Sequence, residues 1–422
     1  MAYTELMSDD YLTSRGRSGF FISENAPRPV TFDPPRLQAG VDWPSMFGRR
    51  FSGGAELVKP ADWARHEYPF IYGQADAGLF DHANWRRAAV KALGQREFGT
   101  MTADTSNRDD PMLLDYLARH ALPRRGIIAR PDEILVTMGA QNALWLTAQV
   151  LMGPGRLAAM EDPGYPGMRA ILEQAEGAVA AVPVDDHGLP PDRIPRGTHV
   201  VFTTPGHQCP TGAKLPAARR ADLLRRAEAD NFIIVEDDYD FELAAAPEPS
   251  LKSMDGAGRV IHVGSFSKTL FPGLRLGYLV GDAAFIREAR ALRSAVLRHP
   301  PGHTQRTVAI FLSLGHYDAL MRRMARTIGA RRRALDAAVQ TFGLTTVGRP
   351  EPGASSIWLA ASEGVDTAAV ARQLQAQSVL IEPGAAFFAH AGTGSRHFRL
   401  AVTSIAEDRI APGISKIAAA MA

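Results

Sequence analysis

The stretch RVIHVGSFSKTLFPGLRLGYLVG, residues 259–281, reads as an apolar strand, a polar loop and a second apolar strand. The first strand ends near Gly264. Ser265, Ser267 and Lys268 follow at once, and Arg275 lies seven residues beyond the lysine. A lysine at a strand end, backed by small hydroxyls and a guanidinium, suits an amine that forms an imine beside a bound phosphate. The other reading is a loop with an ordinary surface lysine, because S-x-S-K alone often occurs by chance.

Outward from this stretch the same texture repeats. Short β-rich runs stand at EILVTM (133–138), RLAAME (156–161), GAVAAVPV (177–184), THVVFTT (198–204) and NFIIVED (231–237), each bounded by Gly, Pro or Asp. Helical patterns such as QNALWLTAQVL and RRADLLRRAEAD separate most of them. Strands alternating with helices predict an α/β fold with a mainly parallel sheet covered on both faces. Upstream, WRRAAVKAL and LLDYLARHAL place apolar residues at helical spacing. After about residue 305, VAIFLSLGHYDALMRRMARTIGARRRALDAAV predicts a long helical stretch, and SSIWLAA, SVLIEPG and HFRLAVTS predict strands of a smaller α+β region. The expected division is an N-terminal arm over 1–68, extended and aperiodic through 60, a large domain over 69–305 and a small domain over 306–422.

Composition narrows the function classes. With 47 Lys and Arg against 45 Asp and Glu, the net charge is +2, so no concentrated basic field points to nucleic acid or a membrane surface. Cys209 is the one cysteine, which excludes an intrachain disulfide. The opening MAYTELMSDDYL carries acids where a signal peptide carries a basic region, and no run approaches the ~20 apolar residues of a membrane span. A cytoplasmic protein is expected. The 12 histidines show no H-E-x-x-H spacing, and no C-x-x-C occurs, so no metal site is expected.

Five further strand ends carry chemistry-bearing residues. In FIIVEDDYDFE, Asp237 lies 31 residues before Lys268, and a buried carboxylate there can keep a pyridine nitrogen protonated, with Tyr239 placed to donate to a ring oxygen. A solvated acidic turn is the alternative. In VTMGAQNALWL, Gly139, Ala140 and Gln141 open a helix whose free N–H groups suit a phosphate, although many βα turns look alike. In MEDPGYPGMR, Tyr165 is either a ring that stacks on a flat cofactor or a plain turn tyrosine. TTPGHQCPTG (203–212) is a loop fixed by Pro and Gly at another strand end. Arg399, inside the apolar strand of RHFRLAV, needs an anionic partner, which is either a substrate carboxylate or a structural acid.

Taken together and in order, these pieces resemble the fold-type I pyridoxal-phosphate enzymes of the aminotransferase group. Within that group they are most similar to the aminotransferase-like domain of the GntR-type MocR regulators. The pieces carrying the resemblance are PFIYGQADAGLFDHANWRR, ILVTMGAQNAL, EDPGYPG, TTPGHQCPTG, VEDDYDFE, GSFSKTLFPGLRLGY, LGHYDALMRRM, EPGAAFF and HFRLAV, spanning roughly 69 to 405. The resemblance implies a large domain with a seven-stranded sheet, pyridoxal 5'-phosphate (PLP) as cofactor, and Lys268 as the residue that forms its Schiff base and moves the proton. It implies Asp237 at the pyridine nitrogen and Tyr239 at the ring oxygen. Ser265, Arg275 and the Gly139–Ala140–Gln141 turn would hold the phosphate, with Ser267 and Cys209 beside the cofactor and Tyr165 stacked on its ring. Arg399 would hold the α-carboxylate of an amino-acid substrate. A homodimer with its active site at the interface is implied as well, with RHPPGHTQR (298–306) facing the site.

This sequence departs from the pattern in places. YLTSRGRSGFFI (11–22) looks like the last hairpin of the regulators' winged-helix domain, and the DNA-reading helices have no counterpart before it. The segment ADTSNRDDP (103–111) replaces a Y-G-D-P-x-G turn, Cys209 replaces the Asn usual before P-T-G, and Ala140 replaces a Ser or Thr. The expected activity is aminotransferase-like chemistry on an α-amino acid. The alternatives are a lyase or carbon–carbon-bond-forming enzyme, for instance one using S-adenosylmethionine, and a non-catalytic PLP-sensing effector domain.

Overall fold

The computed structural model describes residues 2–27, 41–52, 57, 59–74, 76–105, 107–243, 249–349 and 354–421. The chain divides into two compact units, Met1–Gly53 and Gly54–Ala422. Parts of the arm, including 28–40 and 53–56, lie outside the described residues.

In the first unit a helix, Ala2–Ser8, precedes an antiparallel hairpin of Leu12–Ser14 and Phe20–Ile22, with Leu12 opposite Ile22. The segment 11–22 is thus a hairpin in its local structure. The helix corrects the reading of an extended arm. Tyr3 stacks on Phe20 at 4.8 Å, a contact between helix and hairpin that a periodicity search over so short a segment does not weigh.

The second unit is built on a seven-stranded sheet. Its spatial order is Ile134–Thr137, Gly277–Val280, Val260–Ser265, Ile233–Asp238, Val200–Thr203, Leu157–Asp162 and Ala178–Pro183. All seven apolar runs are therefore strands of one sheet. Gly277–Val280 runs antiparallel to both its neighbours, and the strands from Val260–Ser265 to Ala178–Pro183 pair in parallel. Successive side chains on a strand point to opposite faces, and here both faces are buried. Ala158, Val200 and Val235 enter one hydrophobic cluster, whereas Ala159, Val201 and Ile234 enter another. That two-sided burial explains why the runs are continuously apolar rather than alternating.

A separate four-stranded antiparallel sheet includes Ser356–Ala360, His397–Ala401 and Glu382–Pro383. Its Ile357 and Leu400 share a core with Phe311, Leu320 and Ile414 of the flanking helices. The long helical stretch after 305 is two helices, Gly302–Ser313 and His316–Thr341. Gly315 sits between them at φ +76°, a left-handed conformation that glycine adopts without a Cβ penalty, so the chain turns there. Among the described residues no helix is long and apolar enough to cross a membrane.

Candidate active site

The parallel strands end on one side of the sheet, and the residues singled out in the sequence gather there. A cavity of about 500 Å³ is lined by Ala140, Gln141, Tyr165, Cys209, Asp237, Tyr239, Ser265, Ser267, Lys268, Arg275 and Arg399. Gly139 adjoins it as the first residue of the helix Gly139–Leu151, where a Cβ would lie 3.4 Å from the Arg275 guanidinium. This volume suits a small molecule with its cofactor.

Lys268 follows the strand Val260–Ser265, and its Nζ lies 4.5 Å from the centre of the Tyr72 ring. Burial first, and then the nearby cations Lys59 and Arg399, bring its pKa down to about 8. Asp237 is the penultimate residue of Ile233–Asp238. Burial and the neighbouring carboxylates of Asp238 and Asp240 push its pKa up to about 8. Asp238 is anchored from the other side, accepting from Arg125 Nε at 2.7 Å.

Two buried atoms of the cavity lining, Asp237 Oδ1 and Ser267 Oγ, have no hydrogen-bond partner among the described residues. Unsatisfied buried polar atoms are costly. A ligand bringing a protonated ring nitrogen and a phosphate would satisfy both. PLP is such a molecule, and the donor set fits it.

The Tyr239 hydroxyl donates to the His207 carbonyl at 2.8 Å, and that of Tyr165 bonds the Gln141 side chain. Arg275 donates to the Met138 carbonyl at 3.2 Å, at the start of the Gly139 helix, and the Ser267 N–H donates to Ser265 Oγ at 3.1 Å. Burial pushes the Cys209 thiol up to about 11, so it is a neutral thiol, with Sγ 3.6 Å from Arg399 Nη1.

Arg399 has the acidic partner that its place in an apolar strand called for. Its Nε donates to Glu382 Oε2 at 2.7 Å. Burial opposes the guanidinium charge, but Glu382 outweighs it and raises the pKa above the ordinary arginine value.

Several residues around the site gave no motif in the sequence. Lys59 and Tyr72 line the cavity. Tyr72 donates to Asp240 Oδ2 at 2.8 Å, and Asp240 also meets His207 Nδ1 at 3.1 Å. Burial works against ionisation of Asp240, but His207 and Tyr72 overcome it and hold the carboxyl below its usual value. Tyr72 and His207 sit inside the quoted pieces PFIYGQAD and TTPGHQCPTG, yet a lone Tyr or His in a loop has no spacing that marks it.

The altered segment 103–111 serves the scaffold. Asp109 accepts from Arg293 at 2.5 Å and Arg290 at 2.9 Å, and Asp110 caps the helix Pro111–Tyr116 and pairs with Arg306 at 2.8 Å. Arg298 pairs with Asp104 at 2.7 Å, so 298–306 and 103–111 are joined at both ends.

The family profile for aminotransferase class I and II matches residues 76–417. Among curated proteins, the HTH-type transcriptional regulator TauR of Rhodobacter capsulatus is 53% identical over all of this chain and 88% of its own length. Aromatic-amino-acid aminotransferase 1 of Thermococcus litoralis is 31% identical over 68% of this chain and 72% of its own. Among solved structures, the Pyrococcus horikoshii kynurenine aminotransferase, crystallised with PMP, superposes with a TM-score of 0.77 at 27% identity, covering 83% of this chain and 90% of that one.

Proposed function

Since the chain belongs to the aminotransferase class I and II family, whose cofactor is PLP, we propose that it holds PLP on Lys268 and recognises a small acidic amine by letting that amine take the place of Lys268. In this reading it is the amine-sensing part of a helix-turn-helix-type transcription regulator. The identity of 53% over the whole chain to a protein named as such a regulator carries the assignment. It differs from the expectation of a free-standing enzyme without a nucleic-acid partner, whose aminotransferase part is supported by the family match. The helix and hairpin of the first unit, with Arg15 and Arg17 in the turn, are consistent with it.

The roles proposed for the site follow from its chemistry. PLP supplies an aldehyde that amines condense with and a ring that withdraws electrons. Lys268, with a pKa near 8, is a free amine in part of the population at neutral pH and so can both condense and accept a proton. Asp237 holds the ring nitrogen, and Ser265, Ser267, Arg275 and the Gly139–Gln141 turn hold the phosphate. Tyr165 stacks on the ring, Tyr239 and Cys209 contact it, and Arg399 receives the acid. The arm, the large domain over 69–305 and the small domain over 306–422 keep their expected limits in this proposal, as does a homodimer.

A second reading, turnover as an aminotransferase, is favoured by that same basic Lys268 beside the cavity. One experiment separates the two. PLP-loaded protein is mixed with a panel of amino acids and ω-amino acids, and both its absorbance and any keto acid or aldehyde released are followed. A saturable spectral change that reverses on dialysis, without product, is the expected result. Repeated turnover to product would replace the sensor with an enzyme. No spectral change with any amine would refute both.

A further inference from the structure

The acid-binding end of the cavity holds two cations rather than one. Lys59, close to the start of the second unit, places Nζ 3.5 Å from Glu382 Oε1 and donates to the Tyr72 carbonyl. The other oxygen of Glu382 is taken by Arg399 Nε at 2.7 Å. Lys59 and Arg399 both line the cavity, while Glu382 is not among its lining residues and its side chain is only 3% exposed. The acid thus sits behind the two cations and joins them.

Glu382 takes the Nε side of the Arg399 guanidinium and the Cys209 sulfur lies 3.6 Å from Nη1, so a ligand acid meets Arg399 end-on, through the terminal nitrogens, rather than side-on through Nε. Lys59 adds a second cation at the same end. Burial lowers the Lys59 pKa while Glu382 holds it up, and with Lys59 protonated the two cations around one carboxylate leave this end of the cavity a net single positive charge, which one negative group on a ligand balances. Tyr72 limits the ligand's length. Its ring centre lies 4.6 Å from Arg399 Cζ and 4.5 Å from Lys268 Nζ, so the acid-binding and amine-binding groups are at most about 9 Å apart, which suits a short chain.

Building on the amine-recognition reading, we propose that Lys59 and Arg399 form a two-cation clamp, with Glu382 as its internal counter-ion, and that the clamp selects short amines bearing a single anionic group. Lys59 is a specificity-determining residue in this scheme and takes no part in holding PLP.

The test compares wild type, Lys59→Met and Lys59→Arg, each loaded with PLP and checked for equal melting temperature. In a spectral titration with β-alanine and with n-propylamine, the preference for β-alanine is expected to fall at least tenfold in Lys59→Met and to return in Lys59→Arg. A calorimetric titration with propionate, which has no amine, is expected to show at least tenfold weaker binding in Lys59→Met than in wild type. An unchanged preference, or equal propionate binding in wild type and Lys59→Met, overturns the clamp. If no amine alters the spectrum, the amine-recognition reading fails while propionate still decides the clamp: weaker binding in Lys59→Met upholds it, and equal or undetectable binding in both proteins overturns it.

Discussion

The reactivity of Lys268 should follow pH in a way that an ordinary lysine does not. Its pKa falls from 10.5 to about 8, chiefly through burial, and a gap of that size is worth about 3 kcal/mol in favour of the neutral amine. At pH 7 about a tenth of the molecules then carry a free amine, roughly 300-fold more than for a lysine of ordinary pKa. Only the neutral form attacks an aldehyde. When apo protein is mixed with PLP and the appearance of the Schiff-base band is timed between pH 6 and 10, the rate should climb about tenfold per pH unit and level off near pH 8. Two substitutions should move that midpoint in opposite directions. Lys59→Met removes a positive neighbour that holds the pKa down, so the midpoint rises; Glu382→Gln removes a negative neighbour that holds it up, so the midpoint falls. A rate still climbing tenfold per unit at pH 10 would refute the burial argument. Shifts of the same sign in both variants would refute the electrostatic one.

Three substitutions probe the scaffold and the walls of the cavity. Asp109→Ala removes the carboxylate that Arg293, whose side chain is 0% exposed, meets at 2.5 Å, and should cost about 3 kcal/mol in chemical denaturation; a loss under ~1 kcal/mol would show that the pair is not a scaffold element. Gly73→Ala sets a Cβ 2.0 Å from Lys268 Nζ at a residue with φ +75°, so the lysine end must move aside and the Schiff-base band should form more slowly while the far-ultraviolet circular dichroism stays unchanged; an unchanged rate would contradict the close approach. Asp237→Asn removes the carboxylate proposed to meet the ring nitrogen, and PLP affinity measured by equilibrium dialysis should drop at least ~10-fold, the loss of one buried charge-assisted contact. Equal affinity would remove Asp237 from the cofactor site.

The sheet was legible in the sequence because its strands are buried on both faces. Runs such as IIVED and VIHVGS leave no polar alternation to confuse them, and their bounding Gly, Pro and Asp residues mark the ends. The cavity residues on those strand ends were legible for the same reason, since each follows directly on a strand that could be located. What escaped was set by tertiary contacts. Lys59 belongs to a stretch without periodicity, and only the fold brings it to Glu382, more than 300 residues away in sequence. The acid partner of Arg399 was expected in general terms but not as Glu382, because the two meet by strand pairing, at Glu382 opposite Arg399. The break at Gly315 was missed because apolar residues keep helical spacing on both sides of it, so periodicity alone reads through the turn.

Whether Lys268 carries the cofactor is decided by reducing the PLP-loaded protein with borohydride, digesting it and locating the phosphopyridoxyl group by mass spectrometry. The group is expected on the peptide containing Lys268, at close to one per chain. Label on Lys59 or spread over surface lysines, with the Lys268 peptide unmodified, would contradict it.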